Sequence, residues 1–213
     1  MDFPHHVVQR GVRRMNVFFS TDDRQEYLNL LLQSARKHAL DFLAWCLMDN
    51  HSHFVVVPHH EKSLAGTFGE AHRRYTRLVN FREGWRGHLW QERFHSYPMN
   101  ERHLHAAVRY VEMNPVRAGL AEGPGDWEWS SARYHLGLTK TDWLVREQGL
   151  FGLVDDWERY LSQTNEDGNT NFDLHLRTGR PLGDSDFLES VERFVGMSLR
   201  PKKGGWPKGK KRN

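Results

Sequence analysis

Two apolar runs, residues 42–48 and 51–57, are separated only by Asp49-Asn50. A two-residue gap of turn-forming residues leaves these runs one low-cost arrangement, an antiparallel hairpin. Any fold for this chain is therefore built around that hairpin. Side chains alternate faces along a strand, so His51 and His53, at the head of the second run, project together while Ser52 points away. Two imidazoles on one face, at the end of a rigid element, can hold a divalent cation. The pattern alone has low specificity, because 14 histidines in 213 residues make chance pairs common. A second pair, His103-Leu104-His105, falls in a helical stretch where residues two apart diverge, which makes it a poor chelate.

A helix and a strand flank the hairpin on each side. Residues 5–10 form a short strand candidate closed by Gly11. Thr21-Asp22-Asp23 supplies helix-start chemistry for a helix over about 22–37, with Tyr27, Leu28, Leu31, Leu32 and Ala35 at helical spacing. After the hairpin, Ser63 can cap a helix whose apolar stripe is Leu64, Phe68, Ala71, Tyr75 and Leu78. Arg73, Arg74 and Arg77 occupy its other faces, either as solvated charge or as phosphate contacts. Residues 88–98, carrying Trp90, Phe94 and Tyr97, have strand character. The order strand, helix, strand, strand, helix, strand is the split βαβ pattern. The expected class is α+β: a ferredoxin-like sandwich with an antiparallel-type sheet of four to five strands and helices on one face. The other face is left for a ligand, a partner subunit or a later helix.

That later helix starts at Asn100. Leu104, Ala107, Val108 and Val111 make its core-facing stripe. At about 100° per residue, His103, Tyr110, Asn114 and Arg117 share a second edge within roughly 60° of one another. Pro115 pushes the residue before it away from helical angles, leaving Asn114 at the helix end. Tyr110 either covers a helix boundary, as half-buried tyrosines do, or offers a phenol nucleophile beside a cation-bound phosphate.

Charge is unevenly spread. Residues 1–140 carry 18 basic and 15 acidic side chains, residues 141–199 carry 5 and 12, and residues 200–213 carry 7 and none. The tail, with Lys202, Lys203, Lys208, Lys210, Lys211 and Arg212, suits a phosphate backbone, since each neutralised phosphate releases condensed counterions. It is equally readable as a solvated end or as an arm folding onto the acidic stretch. Trp127 and Trp129 either stack bases or pack the end of the domain. The single cysteine, Cys46, excludes an internal disulfide and reads as a core residue. No apolar run of 18 residues and no charged-then-apolar start is present, so the expectation is a cytoplasmic protein with no membrane partner.

The residues that meet a family are Asn50-His51-Ser52-His53 and Tyr110-Val-Glu-Met-Asn114-Pro-Val-Arg-Ala-Gly119. In that order they resemble the paired-histidine and nucleophile signatures of the IS200/IS605-type tyrosine transposases. Trp127-Glu-Trp-Ser-Ser-Ala132, Thr178-Gly-Arg-Pro-Leu-Gly183 and the basic end resemble features of the REP-associated branch. The likeness runs nearly end to end and is strongest over residues 5–136. It implies a ferredoxin-like catalytic domain, commonly dimeric, acting on single-stranded DNA near an imperfect hairpin such as a REP element. Tyr110 would be the nucleophile, and His51, His53 and Asn114 would hold Mg²⁺ or Mn²⁺. The DNA would be met by Arg73, Arg74, Arg77, Arg117, Trp127, Trp129 and the basic tail, and the protein would be nucleoid-associated. Two positions depart from the commonest pattern: Ser52 replaces a hydrophobic residue between the histidines, and Asn114 stands where many insertion-sequence members have glutamine. The expected division is a catalytic domain over 1–138, an acidic, mostly helical extension over 139–199 and a flexible basic tail over 200–213. Two further classes are open to the sequence: a domesticated, non-cleaving binder of hairpin DNA or RNA, and a metallohydrolase with water as its nucleophile.

Overall fold

The computed structural model describes residues 3–146, 150, 154–163, 181–196 and 198–199. Its elements are β1 (His5–Arg10), α1 (Thr21–His38), β2 (Leu40–Leu47), β3 (His51–Pro58), α2 (Ser63–Glu83), β4 (His95–Pro98) and α3 (Glu101–Glu112). Four short helices follow: α4 (Asn114–Arg117), α5 (Ala132–His135), α6 (Trp157–Ser162) and α7 (Ser185–Val195). The four strands form one sheet in the order β2-β3-β1-β4, antiparallel at every pairing. This is the ferredoxin-like arrangement expected from the element order.

The hairpin turn is held from outside. Asn50 O accepts from Gly11 N at 2.8 Å, and Asp49 O accepts from Val17 N and Phe18 N at 2.9 and 3.2 Å. The Asp49 carboxylate also pairs with Arg24. A Cβ on Gly11 would lie 2.2 Å from the Met15 carbonyl oxygen, so only glycine lets the two backbones approach this closely.

Strand alternation divides the interior into two cores. Val7, Phe54 and Val56 join Tyr27, Leu28 and Leu31 of α1 and Phe68, Ala71 and Tyr75 of α2 on one face. Val55 and Cys46 join Leu104, Ala107, Val108 and Val111 of α3 on the other. The helix carrying Tyr110 thus occupies the face that α1 and α2 leave open. A register shift between Phe42 and Ala44 lets both Leu43 and Ala44 reach the α3 side. The acidic stretch contributes to both cores, with Leu144 and Val145 in the first and Leu150, Trp157, Leu161 and Leu182 in the second.

Three local expectations change. Residues 88–94 are not a continuous strand: only a bridge from Gly11 to Trp90 precedes β4. There Leu89 and Trp90 turn into the first core, and burying those side chains wins over pairing. Ser63 is not the α2 cap; Lys62 is, without a side-chain bond, while Ser63 Oγ accepts from His60 N at 2.9 Å. The helix after Asn100 breaks at Met113, which has φ −85° and ψ 0°, and resumes at Asn114 with Pro115 in its first turn. A proline is tolerated there because those N–H groups lack intrahelical partners anyway. Asn100 does cap α3, its side chain accepting from His103 N.

Candidate active site

Pairing register decides which side chains meet. Val8 lies opposite His53 and Arg10 opposite His51, so His6, Val8 and Arg10 share the face of the two histidines. Tyr97 lies opposite His6 from the other side. Above this face α3 lowers Tyr110, whose ring lies 5.7 Å from the His53 ring and 5.8 Å from the His6 ring, edge-on to both. The His51 and His53 rings are 5.0 Å apart. Between them opens a cavity of about 380 Å³ lined by Arg10, His51, His53, Glu92, Tyr110 and Asn114 among others. Ser52, fully buried, faces the opposite core as alternation requires.

Both histidines are kept neutral. Burial, with Arg10 nearby, lowers the His51 pKa to about 4. Burial and the charges of His51, His6, Arg10 and Arg117 hold His53 well below its ordinary value. Neutral imidazole is the form that binds a cation. For His51 the proton is also placed. Asn50 Nδ2 donates to Arg14 O at 3.2 Å, which turns its Oδ1 to His51 Nδ1 at 2.5 Å. His51 therefore carries its hydrogen on Nδ1 and presents a bare Nε2.

Among the described residues no three His, Cys, Asp or Glu side chains converge into a metal-binding group. A cation here would rest on His51, His53 and the Asn114 amide oxygen, all of which line the cavity. The donor set fits: two neutral imidazoles and one amide oxygen suit Mn²⁺ better than Mg²⁺, which favours oxygen throughout.

Arg117 crosses the break at Met113 to lie over the Tyr110 ring at 4.4 Å. Tyr110, Asn114 and Arg117 thus share an edge, as their spacing suggests. His103, two turns before Tyr110 on α3, has its Nδ1 2.6 Å from Asn100 Oδ1 at the start of the helix.

Sequence reasoning missed five supporting residues. His6 and Arg10 enter the site through strand register, and their alternate spacing in β1 was the available signal. Glu112, fully buried, pairs through Oε1 with His135 Nδ1 at 2.5 Å and accepts from Ser131 Oγ at 2.6 Å. Ser131 in turn bonds Trp45 of β2 through its backbone and side chain. The Glu in the Tyr110 segment and the Ser-Ser of the tryptophan segment are therefore two halves of one clamp on α3.

The DNA-contact candidates fall apart spatially. Trp129 is buried in the first core with the Arg24 guanidinium 5.5 Å from its ring. Trp127 is half-buried and donates its indole N–H to Leu47 O at 3.0 Å. Both pack the domain instead of presenting a stacking face. Arg73, Arg74 and Arg77 are exposed on α2, across the sheet from Tyr110. Arg74 bonds Gln33 at 3.1 Å. Arg74 and Arg77 line a groove with Arg86, Trp85 and Phe81, and Phe81 is 91% exposed. Lys202, Lys203, Lys208, Lys210, Lys211, Arg212 and residues 178–180 lie outside the described residues.

No helix among the described residues is long and apolar enough to cross a membrane. A REP-associated tyrosine transposase of Escherichia coli (strain K12) is 21% identical over 126 residues, covering 58% of this chain and 74% of the relative. The solved structure of a REP-associated tyrosine transposase bound to a REP hairpin superposes with a TM-score of 0.51 at 18% identity. That match covers 70% of this chain and 90% of the other, and at such identity it speaks for the fold. The family model described as transposase, IS200-like, matches residues 2–114, more than half of the chain, and the protein belongs to that family.

Proposed function

We propose that this protein cuts and rejoins single-stranded DNA beside a hairpin, using Tyr110 as the nucleophile. The observation that carries the reading is the placement of the Tyr110 ring against His53, across a cavity shared with His51 and Asn114. Tyr110 attacks the phosphorus, the bond to the 3′-oxygen breaks, and that oxygen leaves as a hydroxyl after taking up a proton. The phenol gives up its own proton in the same exchange. The product is a 5′-phosphotyrosine and a free 3′-hydroxyl, and the reverse attack by another 3′-hydroxyl rejoins the strand. The phosphoester energy is kept in the covalent link, so no nucleotide triphosphate is consumed.

A divalent cation held by His51, His53 and Asn114 would polarise a phosphate oxygen as charge develops. Arg10 on the cavity wall and Arg117 over the Tyr110 ring add fixed positive charge beside the reacting phosphate, helping to position it for in-line attack. The clamp on Glu112 holds α3 to its own sheet, so Tyr110 stands over the histidines of its own chain. The arginine and aromatic groove on α2 offers single-stranded or hairpin DNA a second contact. A REP hairpin is the ligand of the structural relative, and hairpin-flanked single strands are the proposed substrate class here.

Labelled hairpin oligonucleotides incubated with the protein and Mn²⁺ test the reading. A covalent protein–DNA species that vanishes in Tyr110→Phe, with binding retained, supports it. The same species persisting in Tyr110→Phe removes Tyr110 from the reaction, and binding without any cleavage favours the non-cleaving binder.

A further inference from the structure

His53 has a buried neighbour that the mechanism above does not use. His6 Nε2 lies 3.1 Å from His53 Nδ1, the two rings stack at 5.3 Å with 18° between their planes, and His6 is 0% exposed. A hydrogen bond between two neutral imidazoles needs one nitrogen to donate and the other to accept, and the direction fixes both tautomers. If His6 donated, the His53 proton would sit on Nε2, the nitrogen left to meet a ligand, and the ring would be useless to a cation. If His53 Nδ1 donates, its Nε2 is bare.

From this pair we infer that His6 is a positioning residue: it accepts the Nδ1 proton of His53 and so holds the Nε2 lone pair toward the cavity. The inference rests on the cation reading of the site. Asn50 does the same for His51 from the hairpin turn, so each of the two imidazoles has its own proton acceptor. The partners differ in kind. Asn50 is a half-buried turn amide fixed by Arg14 O, whereas His6 is fully buried in the central strand β1. Partners of this type orient the ring and raise its basicity, and their loss typically costs about 10–100-fold in metal affinity.

Two readouts on the whole protein decide it. Long-range proton–nitrogen spectra of metal-free protein at neutral pH are expected to show His53 with a protonated Nδ1 and a bare Nε2. His6→Phe fills the volume but cannot accept. It is expected to shift His53 to the Nε2-protonated form and to weaken Mn²⁺ binding, by calorimetry, about 10–100-fold. His6→Gln, which returns a carbonyl acceptor near the position of Nε2, is expected to restore most of that affinity. A wild-type spectrum with the proton on Nε2, or His6→Phe binding Mn²⁺ as tightly as wild type, overturns the inference. Should His6→Phe fail to fold, the wild-type spectrum and His6→Gln still decide. Failure of wild-type protein to take up Mn²⁺ overturns the cation reading instead, and the His53 spectrum judges the tautomer separately.

Discussion

The Arg117 guanidinium lies 4.4 Å from the centre of the Tyr110 ring, although a break at Met113 interrupts the helix between them. Seven residues span two helical turns, and the break does not disturb the alignment because α4 resumes at once with Pro115 in its first turn. The contact puts a permanent cation on the face of the attacking group. Arg117→Ala is expected to slow adduct formation roughly 10²-fold, measured under single turnover with saturating DNA. Arg117→Lys should recover only part of this, since an ammonium neither stacks on a ring nor grips phosphate in a fork.

Glu112 ties the Tyr110 helix to Ser131 and His135 inside the second core. Replacing it by alanine leaves a buried imidazole and hydroxyl without their acceptor, a loss of about 3–5 kcal/mol. Urea unfolding of Glu112→Ala checks the figure. Ser131→Ala removes the hydroxyl's bonds to both Glu112 and the Trp45 backbone and is expected to cost about 1–3 kcal/mol.

His72 gives the fold a pH dependence unrelated to the active site. It is buried on α2 with Nε2 2.8 Å from the Tyr27 hydroxyl of α1, and burial lowers its pKa to about 3. The unfolded chain binds a proton near pH 6.5 and the folded chain does not. Stability is therefore full above about pH 6.5 and falls as pH drops toward 3, by up to about 1.4 kcal/mol per pH unit for this one group. Urea midpoints between pH 7 and pH 4 should show a decline that His72 shares with His5, His6, His51 and His53, whose pKa values burial also lowers; His72→Phe should make it shallower by one group's share while lowering stability at pH 7.

The two aromatic classes separate by experiment. Phe81→Ala, at a 91% exposed position, is expected to leave stability unchanged and weaken single-stranded DNA binding by about 1–3 kcal/mol. Arg77→Ala should reduce the slope of log affinity against log salt by about 0.7. Trp129→Ala, in the core, should instead destabilise the fold by about 3–5 kcal/mol. Weaker DNA binding in Trp129→Ala with unchanged stability would reverse these roles.

The hairpin was legible because its signal is local: two apolar runs, a turn dipeptide and period-two alternation put His51 and His53 on one face. The 3.6-residue helical period placed Tyr110 and Arg117 on one edge of a helix in the same local way. His6 and Arg10 were hidden because local alternation puts them on one face of β1 but only pairing with β3, over 40 residues away in sequence, makes that the face of His51 and His53. Glu112 was hidden for a similar reason, since a buried carboxylate reads as an exposed one until its partners from the Ser131 segment arrive. Residues 88–94 look like a strand by composition, yet Leu89 and Trp90 gain more from the core than from a ladder. The α2 arginines stand out in the sequence, but only the sheet shows that they face away from Tyr110.

The most direct test is mass spectrometry of the protein after reaction with a hairpin-flanked single strand and Mn²⁺, followed by nuclease and trypsin digestion. The peptide spanning residues 110–117 is expected to carry a 5′-linked nucleotide on Tyr110. Cleaved DNA with that peptide unmodified, or the nucleotide attached to another residue, would contradict Tyr110 as the nucleophile.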